Sequence, residues 1–293
     1  MTAKAHLEDV EGRIRDICAD PCNKHIARVP NAGAVIDGHL ITHNGLLAKA
    51  IDPGYVRLLQ GNNGCHEPQE EFVFQEVLKH IPQGGSIVEL GAYWAFYSMW
   101  FANEVAGAKC FCVEPRKKNL KVGKHNFAKN GLVGEFFHSK IGHGYLGVDE
   151  FLESQQLDYI DILHADIQGA EFEMLCDAEQ SLKTGRIGYV FVGTHSQELH
   201  YQCKSYLERC GYITVAHADF DHGTYCSDGV LVARHKDIAG LEPLELPLRD
   251  AQQQREAERQ MNDIRVDAPE QNIRSPQNGL LRRLQRQLFD SRR

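Results

Sequence analysis

The sequence SIVELGAYWAFYS, residues 86–98, decides the fold of this chain. Its apolar run ends in Glu89 and Gly91 and changes directly into a helix-like pattern. Such joins of strand and helix are typical of dinucleotide and nucleoside sites. Ala95 stands where a second glycine of a phosphate-binding loop is expected. The stretch therefore indicates an α/β fold, and it raises the question of which ligand it holds in place of a pyrophosphate.

Strands and helices alternate along the chain from residue 86 onward. The periodicity predicts strands at 86–90, 109–113, 135–138, 159–165 and 187–192, and helices at 96–105, 116–130, 148–154, 170–184 and 197–210. Two further strands, 212–216 and 229–234, follow without room for a helix between them, so we expect them to pair antiparallel. This order predicts a doubly wound, mostly parallel seven-stranded sheet of Rossmann-like type.

The segments on either side of this core have different patterns. Apolar residues at helical spacing predict an N-terminal helix that ends at Asp20, and residues 33–48 read as a small hairpin. A second helix is predicted at 70–80. We therefore divide the chain into a cap (1–68), a core domain (69–240) and a polar linker with an amphipathic helical tail (241–293).

The tail carries Leu281, Leu284 and Leu288 at helical spacing among arginines. One interpretation is a helix that packs on the body or on a second subunit, and the other is a surface that binds a membrane or a partner. A homo-oligomer through the N-terminal helix or this tail is our partner hypothesis.

Composition narrows the class of protein. Hydrophobic content is 42%, charged content 25% and net charge −8, which argues against a general nucleic-acid binder. No apolar run approaches the ~20 residues of a membrane span, and the charged N-terminus lacks a signal core. Nine cysteines without a CxxC pair suggest reduced thiols and a cytoplasmic location. Cys18 and Cys22 as metal ligands are the less favoured alternative, because no matching pair follows.

Polar residues follow four of the predicted strands, and parallel strands bring such ends to one edge of the sheet. They are the Glu89–Gly91 turn, Glu114, Asp166 and His195. Glu114 lies 23 residues after Gly91, where a carboxylate suits two ribose hydroxyls. An adenosyl ligand without phosphate needs no glycine cradle, and S-adenosylmethionine is such a ligand. We expect the cofactor to contact Glu89, Gly91, Ala92, Tyr97, Ser98, Glu114, Asn119 and Asp166.

Three stretches carry a resemblance to a known family. They are EPQEEFVFQEVLKHIPQGGSIVELGAYWAFYS, CVEPRKKNLKVGKHNFAKNG and VDEFLESQQLDYIDILHADIQGAEFEML. Over residues 66–234 the chain resembles the FkbM family of S-adenosylmethionine-dependent methyltransferases, which have a class I methyltransferase fold and are typically O-methyltransferases of sugars, glycans or natural products. The resemblance implies that Glu67 lies beside the cofactor, Glu114 takes the ribose and Asp166 lies near the methyl-transfer centre. His164 stands where the family often has a lysine.

Methyl transfer to a hydroxyl needs an aligned oxygen and a route for its proton. Asp166 and His195 are our catalytic candidates, with His195 as general base. A divalent metal ion is the other option, with the tentative ligands His164, Asp166, His195 and His217.

Structural roles remain open for the same residues. Glu89 can brace the Gly91 turn, and Asp166 or His195 can cap the helix that follows it. His164 can be a satisfied core histidine. Two other functions also stay open: an NAD(P)-dependent oxidoreductase on a similar sheet, and a non-catalytic binding or assembly protein.

Overall fold

The computed structural model describes residues 3–49, 52–142 and 145–267. Met1–Glu258 form one compact unit, and Arg259–Arg293 form a second. The predicted leucine tail at 281–288 lies outside the described residues. Within the described residues, no helix is long and apolar enough to cross a membrane.

The N-terminal region contains short elements. They are helix α1 (Ala3–Ala19), strands β1 (Val35–Ile36), β2 (His39–Ile41) and β3 (Leu47–Ala48), and helices α2 (Pro53–Gly61) and α3 (Pro68–Leu78). The three strands form one antiparallel sheet, so the predicted hairpin is extended by a third strand. Asp37 and Gly38, both with positive φ, make the tight turn between β1 and β2.

Strands and helices alternate from residue 86 onward, as predicted, and the last two strands follow each other without a helix between them. In chain order the elements are β4 (Ser86–Leu90), α4 (Phe96–Glu104), β5 (Lys109–Val113), α5 (Lys117–Lys129), β6 (Glu135–Phe137), α6 (Val148–Ser154), β7 (Ile160–Ala165), α7 (Glu171–Asp177), α8 (Glu179–Lys183), β8 (Ile187–Thr194), α9 (Gln197–Arg209), β9 (Tyr212–Ala218), β10 (Gly229–His235) and α10 (Ala251–Asp267).

The central sheet has seven strands in the order β6-β5-β4-β7-β8-β10-β9. The pairs from β6 to β8 are parallel, whereas β10 pairs antiparallel with both β8 and β9. The predicted fold class, a doubly wound and mostly parallel sheet, is therefore confirmed. Strands β4, β7 and β8 are buried along their whole length, because apolar clusters cover both faces of the sheet.

The order of the strands locates the site. Because β4 lies between β5 and β7, the chain leaves β4 toward one side of the sheet and later returns on the other side. Ligands of open α/β sheets bind at this switch point, beyond the carboxyl ends of the strands. The candidate site therefore lies at the ends of β4 and β7, which are neighbours in this sheet.

The local structure differs from the prediction at two places. The single helix expected at 170–184 is broken at Ala178 into α7 and α8, because the Asp149 carboxylate accepts hydrogen bonds from the amides of Gln180 and Ser181. Helix α2 was not predicted at all. Its signal is Asp52-Pro53, in which the aspartate side chain accepts hydrogen bonds from the first helical amides.

Candidate active site

A pocket lies at the carboxyl ends of β4, β7 and β8, with an empty volume of about 450 Å³ that includes open solvent at its mouth. Most residues of the predicted cofactor set line it: Glu67, Glu89, Gly91, Ala92, Tyr97 and Asp166. His164 from the predicted metal set lines it as well. The structure therefore brings the Glu89–Gly91 turn together with the end of β7, as the sequence predicts for a parallel sheet.

Gly91 is required by a contact between two strands. Its φ is 75°, and a Cβ added there would overlap the carbonyl oxygen of Asp166 and lie 2.9 Å from the Asp166 carbonyl carbon. The Asp166 amide in turn donates to the Leu90 carbonyl. The space beside the Gly91 Cα is filled by the backbone of Asp166. The glycine therefore positions Asp166.

Glu89 provides the cap of helix α4. Its Oε2 accepts a 3.0 Å hydrogen bond from the Ser98 amide, while Ala95 at the N-cap position has no side chain able to accept one. Burial raises the pKa of Glu89. Ala95 has φ 62°, the left-handed conformation that glycine favours, so the backbone keeps the shape that the missing glycine would adopt. A carboxylate thus occupies the helix terminus at which a dinucleotide site holds its phosphate.

Glu114 holds the loop that follows β4. Its two oxygens accept hydrogen bonds from the amides of Tyr93 and Arg116 and from the Asn119 side chain. Glu114, Asn119 and Ser98 are buried and are not among the described residues that line the pocket. These three members of the predicted cofactor set lie behind its wall, so a contact between Glu114 and a ribose stays a prediction.

A buried network of charged groups forms one wall of the pocket. Glu71, with 0% exposure, lies 2.6 Å from His66 Nδ1 and 3.3 Å from His43 Nε2. Its Oε1 also accepts hydrogen bonds from the amides of His66 and Glu67. Glu67 lies 3.3 Å from His66 Nε2 and accepts a 2.8 Å hydrogen bond from the Tyr97 hydroxyl. Glu71 therefore fixes His66 and Glu67, which line the pocket.

Burial and mutual attraction set the charges in this network. Burial opposes the charged form of His66, but Glu67 and Glu71 outweigh it and raise the pKa of His66 to about 9. Burial raises the pKa of Glu67 to about 8, although His66 opposes the shift. Burial also opposes ionisation of Glu71, yet His66 and His43 lower its pKa to about 2. At neutral pH the network holds an imidazolium at His66 and a carboxylate at Glu71.

We expect the stability of the protein to fall as pH rises from about 6.5 to about 9. The pKa of His66 is raised in the fold, so its contribution is complete below the ordinary value of 6.5 and is lost as pH approaches 9. The raised pKa of Glu67 acts in the same direction up to about pH 8. Urea unfolding at pH 6 and pH 9 measures the loss.

His66→Gln should reduce this dependence and leave the part that the raised pKa of His195 contributes. His80→Gln, at an exposed position just after helix α3, should leave the whole dependence intact. A free energy of unfolding that is equal or higher at pH 9 than at pH 6 would contradict the assignment of charges.

His164 is held on two sides. Its Nε2 lies 2.6 Å from Glu70 Oε1, and its ring packs on Tyr97 at a tilt of 31° with the centroids 4.1 Å apart. Burial opposes protonation, but Glu70 raises the pKa of His164 above its ordinary value. His164 is thus an ion-paired wall residue of the pocket.

His195 is surrounded by carboxylates. Its Nδ1 lies 3.0 Å from Glu171, and its Nε2 lies 3.3 Å from both Asp166 and Asp228. Burial opposes protonation, yet the neighbouring carboxylates of Asp166, Glu171 and Asp228 raise the pKa of His195 to about 10. The imidazole is therefore protonated at neutral pH in the metal-free protein, which disfavours the predicted role of general base. Ser196, not His195, caps helix α9.

The predicted metal set is not assembled. His217 lies 3.3 Å from His200 and 3.0 Å from Glu258, and His164 pairs with Glu70 instead. Among the described residues, the group whose ligand atoms lie within 4.8 Å of one another is Asp166, His195 and Asp228. This group contains two of the four predicted ligands, Asp166 and His195, and its third member is Asp228.

Sequence reasoning missed several pocket residues: Tyr55, His66, Glu70 and Asp228. A signal for Asp228 existed. Because β10 is antiparallel, its first residue pairs with the last residue of β8, Gly229 with Thr194. The residue before an antiparallel strand therefore lies at the same edge as the carboxyl ends of the parallel ones. Tyr55 comes from helix α2, which was not predicted.

Part of the chain matches a known protein family. Residues 146–214 match the methyltransferase FkbM domain. The predicted resemblance to the FkbM family is confirmed over these residues, which include Asp166, Glu171 and His195. Together with the order of the strands, the FkbM match identifies the fold as that of the S-adenosylmethionine-dependent methyltransferases. No curated protein matches the chain significantly.

Several solved structures resemble this chain at low identity. Precorrin-6y C5,15-methyltransferase from Geobacter metallireducens GS-15 is 14% identical, with a TM-score of 0.42 over 56% of this chain and 89% of that one. A putative tRNA (m1A22) methyltransferase from Streptococcus pneumoniae is 14% identical, with a TM-score of 0.42 over 75% and 94%. A putative S-adenosylmethionine-dependent methyltransferase from Streptococcus mutans is 15% identical, with a TM-score of 0.41 over 57% and 48%. At these scores the likeness carries no argument about substrate.

Proposed function

We propose that the protein transfers a methyl group from S-adenosylmethionine to a hydroxyl of a sugar, glycan or natural-product acceptor. The observation that carries the proposal is the set of carboxyl groups that line the pocket from several elements: Glu67, Glu70, Glu89, Asp166 and Asp228. Carboxyl oxygens accept hydrogen bonds from the ammonium group and the ribose hydroxyls of S-adenosylmethionine, which a pyrophosphate does not offer. His66 and the raised pKa of Glu67 reduce the negative charge of this wall, so its hydrogen-bond acceptors, and not its net charge, favour this cofactor.

Aromatic side chains strengthen this preference. Tyr55, Tyr93, Trp94, Phe96 and Tyr97 line the same pocket. The face of an aromatic ring attracts a cation, and a desolvated pocket increases the effect. The Ser98 amide, which a phosphate would need, already binds Glu89. These features disfavour the NAD(P)-dependent alternative.

Methyl transfer breaks the carbon–sulfur bond of the cofactor and forms a carbon–oxygen bond. The acceptor hydroxyl loses its proton to solvent, its oxygen forms a bond to the methyl carbon, and the electron pair of the broken carbon–sulfur bond stays on sulfur. Asp166 and His195 remain our catalytic residues, near the methyl-transfer centre. Since His195 is an imidazolium in the metal-free protein, its proposed role changes from proton acceptor to a group that organises Asp166 and Asp228. A divalent metal ion stays part of the proposal.

Calorimetric titration tests the cofactor directly. We expect S-adenosylmethionine and its product S-adenosylhomocysteine to bind the full chain with micromolar affinity, and NAD and NADP to give no binding heat. Transfer of labelled methyl to a panel of sugars and polyols then separates an enzyme from an assembly protein. Heat from NAD alone would reverse the choice, and binding without transfer to any acceptor would favour the non-catalytic alternative.

The remaining parts of the proposal concern the whole chain. We propose that residues 1–68 form a cap over the acceptor side of the core domain (69–240), and that residues 241–293 or the N-terminal helix mediate self-association. A cytoplasmic location fits the nine cysteines, which are all free. Size-exclusion chromatography with light scattering checks the oligomer.

A further inference from the structure

We propose that Asp166, His195 and Asp228 form a binding site for a divalent transition-metal ion, and that the acceptor docks there through two neighbouring oxygens. The metal site rests on the positions of the ligand atoms of these three side chains. The docking of the acceptor rests on the proposed methyl transfer.

Three adjacent strands supply the three side chains. Asp166 directly follows β7, His195 directly follows β8, and Asp228 directly precedes β10. The register pairs Ala165 with Val192 and Thr194 with Gly229, so the ends of these strands are fixed side by side. Sites built on strand ends are held more rigidly than sites on loops, which suits the fixed geometry that a metal ion requires.

The spacing of the ligand atoms fits a metal ion better than a hydrogen bond. His195 Nε2 lies 3.3 Å from Asp166 Oδ1 and 3.3 Å from Asp228 Oδ1. Charge-assisted hydrogen bonds are shorter, about 2.7–2.9 Å. Ligands that bind one ion at about 2.0–2.2 Å are about 3.0–3.4 Å apart when adjacent in its coordination shell.

The number of polar groups around His195 Nε2 also favours a metal ion over a hydrogen bond. A single N–H at His195 Nε2 faces both carboxylates, and Gln168 Nε2 also lies 2.9 Å from it. One proton cannot donate well to two acceptors on different strands while a second donor approaches the same nitrogen. A cation between the three atoms would satisfy the imidazole lone pair and both carboxylates together.

Glu171 orients the imidazole for this role. It is fully buried, its Oε1 lies 3.0 Å from His195 Nδ1, and it accepts hydrogen bonds from the amides of Ile167 and Gly169. A carboxylate on the far nitrogen fixes the tautomer that leaves Nε2 free for a metal, an arrangement common to metal-binding histidines. Glu171 is thus a positioning residue.

The donor set selects the class of ion and of acceptor. One imidazole with two carboxylates suits Mn²⁺, Fe²⁺, Co²⁺ or Zn²⁺. Three protein ligands leave positions open in a six-coordinate shell, enough for two oxygens of one acceptor. A vicinal diol or an α-hydroxy acid fits, and a bound cation would lower the pKa of the hydroxyl so that its proton passes to solvent before methyl transfer.

Mn²⁺ binding to the full chain, dialysed against EDTA and then freed of it, tests the site. Electron paramagnetic resonance should give stoichiometric binding, and the spin-echo spectrum should show one coupled imidazole nitrogen. His195→Gln and Asp228→Asn should each weaken Mn²⁺ about 10-fold or more. His217→Gln, a histidine beside Glu258 and away from the group, should keep the affinity of the parent.

The outcomes separate this proposal from the proposed function. No Mn²⁺ binding, no nitrogen coupling, or affinity unchanged in both variants would overturn the metal site, while S-adenosylhomocysteine binding would still support methyl transfer. The nitrogen coupling needs no variant, so an unfolded substitution leaves the test intact. If the metal binds as expected, methylation of diols in preference to isolated alcohols supports the docking, and equal rates overturn it.

Discussion

Replacing Gly91 with alanine is expected to destabilise the protein by more than about 4 kcal/mol, an exceptional loss for one methyl group. The new Cβ would overlap the carbonyl oxygen of Asp166, which is backbone and cannot rotate away. The positive φ of 75° adds about 1–2 kcal/mol for any residue with a side chain. Relief requires β4 and β7 to separate at the edge where the pocket lies. Chemical denaturation of both proteins measures the difference.

Gly84→Ala is the matched control. Gly84 has almost the same φ, 76°, but no heavy atom of the described residues lies within 4 Å of the position of its Cβ. It should lose only the backbone cost, about 1–2 kcal/mol. Equal losses in the two variants would mean that conformation alone, and not contact with Asp166, explains why residue 91 is glycine.

Much of the fold followed from periodicity. The seven strands of the central sheet were predicted within a few residues, because buried strands between helices form a strong local pattern. What periodicity could not predict was tertiary in origin. Helix α7 ends at Asp177 because the Asp149 carboxylate, from a different helix, accepts hydrogen bonds from the amides of Gln180 and Ser181.

The site was predictable in part, for a physical reason. Parallel strands bring their carboxyl ends together, so Glu89, Gly91 and Asp166 could be placed at one edge from the order of elements alone. The partners of a histidine cannot be found in this way, because they depend on side-chain contacts across the fold. His164 meets Glu70 from helix α3, 94 residues away in sequence, and no local pattern signals that pair.

Replacing Glu71 with glutamine is expected to cost about 3–5 kcal/mol, the range for removing one partner of a buried ion pair. Glu71 is 0% exposed and lies 2.6 Å from His66 and 3.3 Å from His43. An amide removes the negative charge and turns a donor toward one of the two imidazoles. Urea unfolding at pH 6, where His66 is protonated in the fold, measures the loss.

Glu76→Gln on the same helix, α3, is the control for this prediction. Glu76 is 23% exposed and pairs with Lys79, whose side chain is 60% exposed, so its loss should cost no more than about 1 kcal/mol. Glu71→Gln should also weaken S-adenosylhomocysteine binding, because Glu71 holds the amides of His66 and Glu67, which line the pocket. If the two variants were equally stable, the groups of the buried network would be largely uncharged. The inference that His66 is protonated at neutral pH would then be wrong. If Glu71→Gln lost stability but kept full affinity for the ligand, the network would support only the fold.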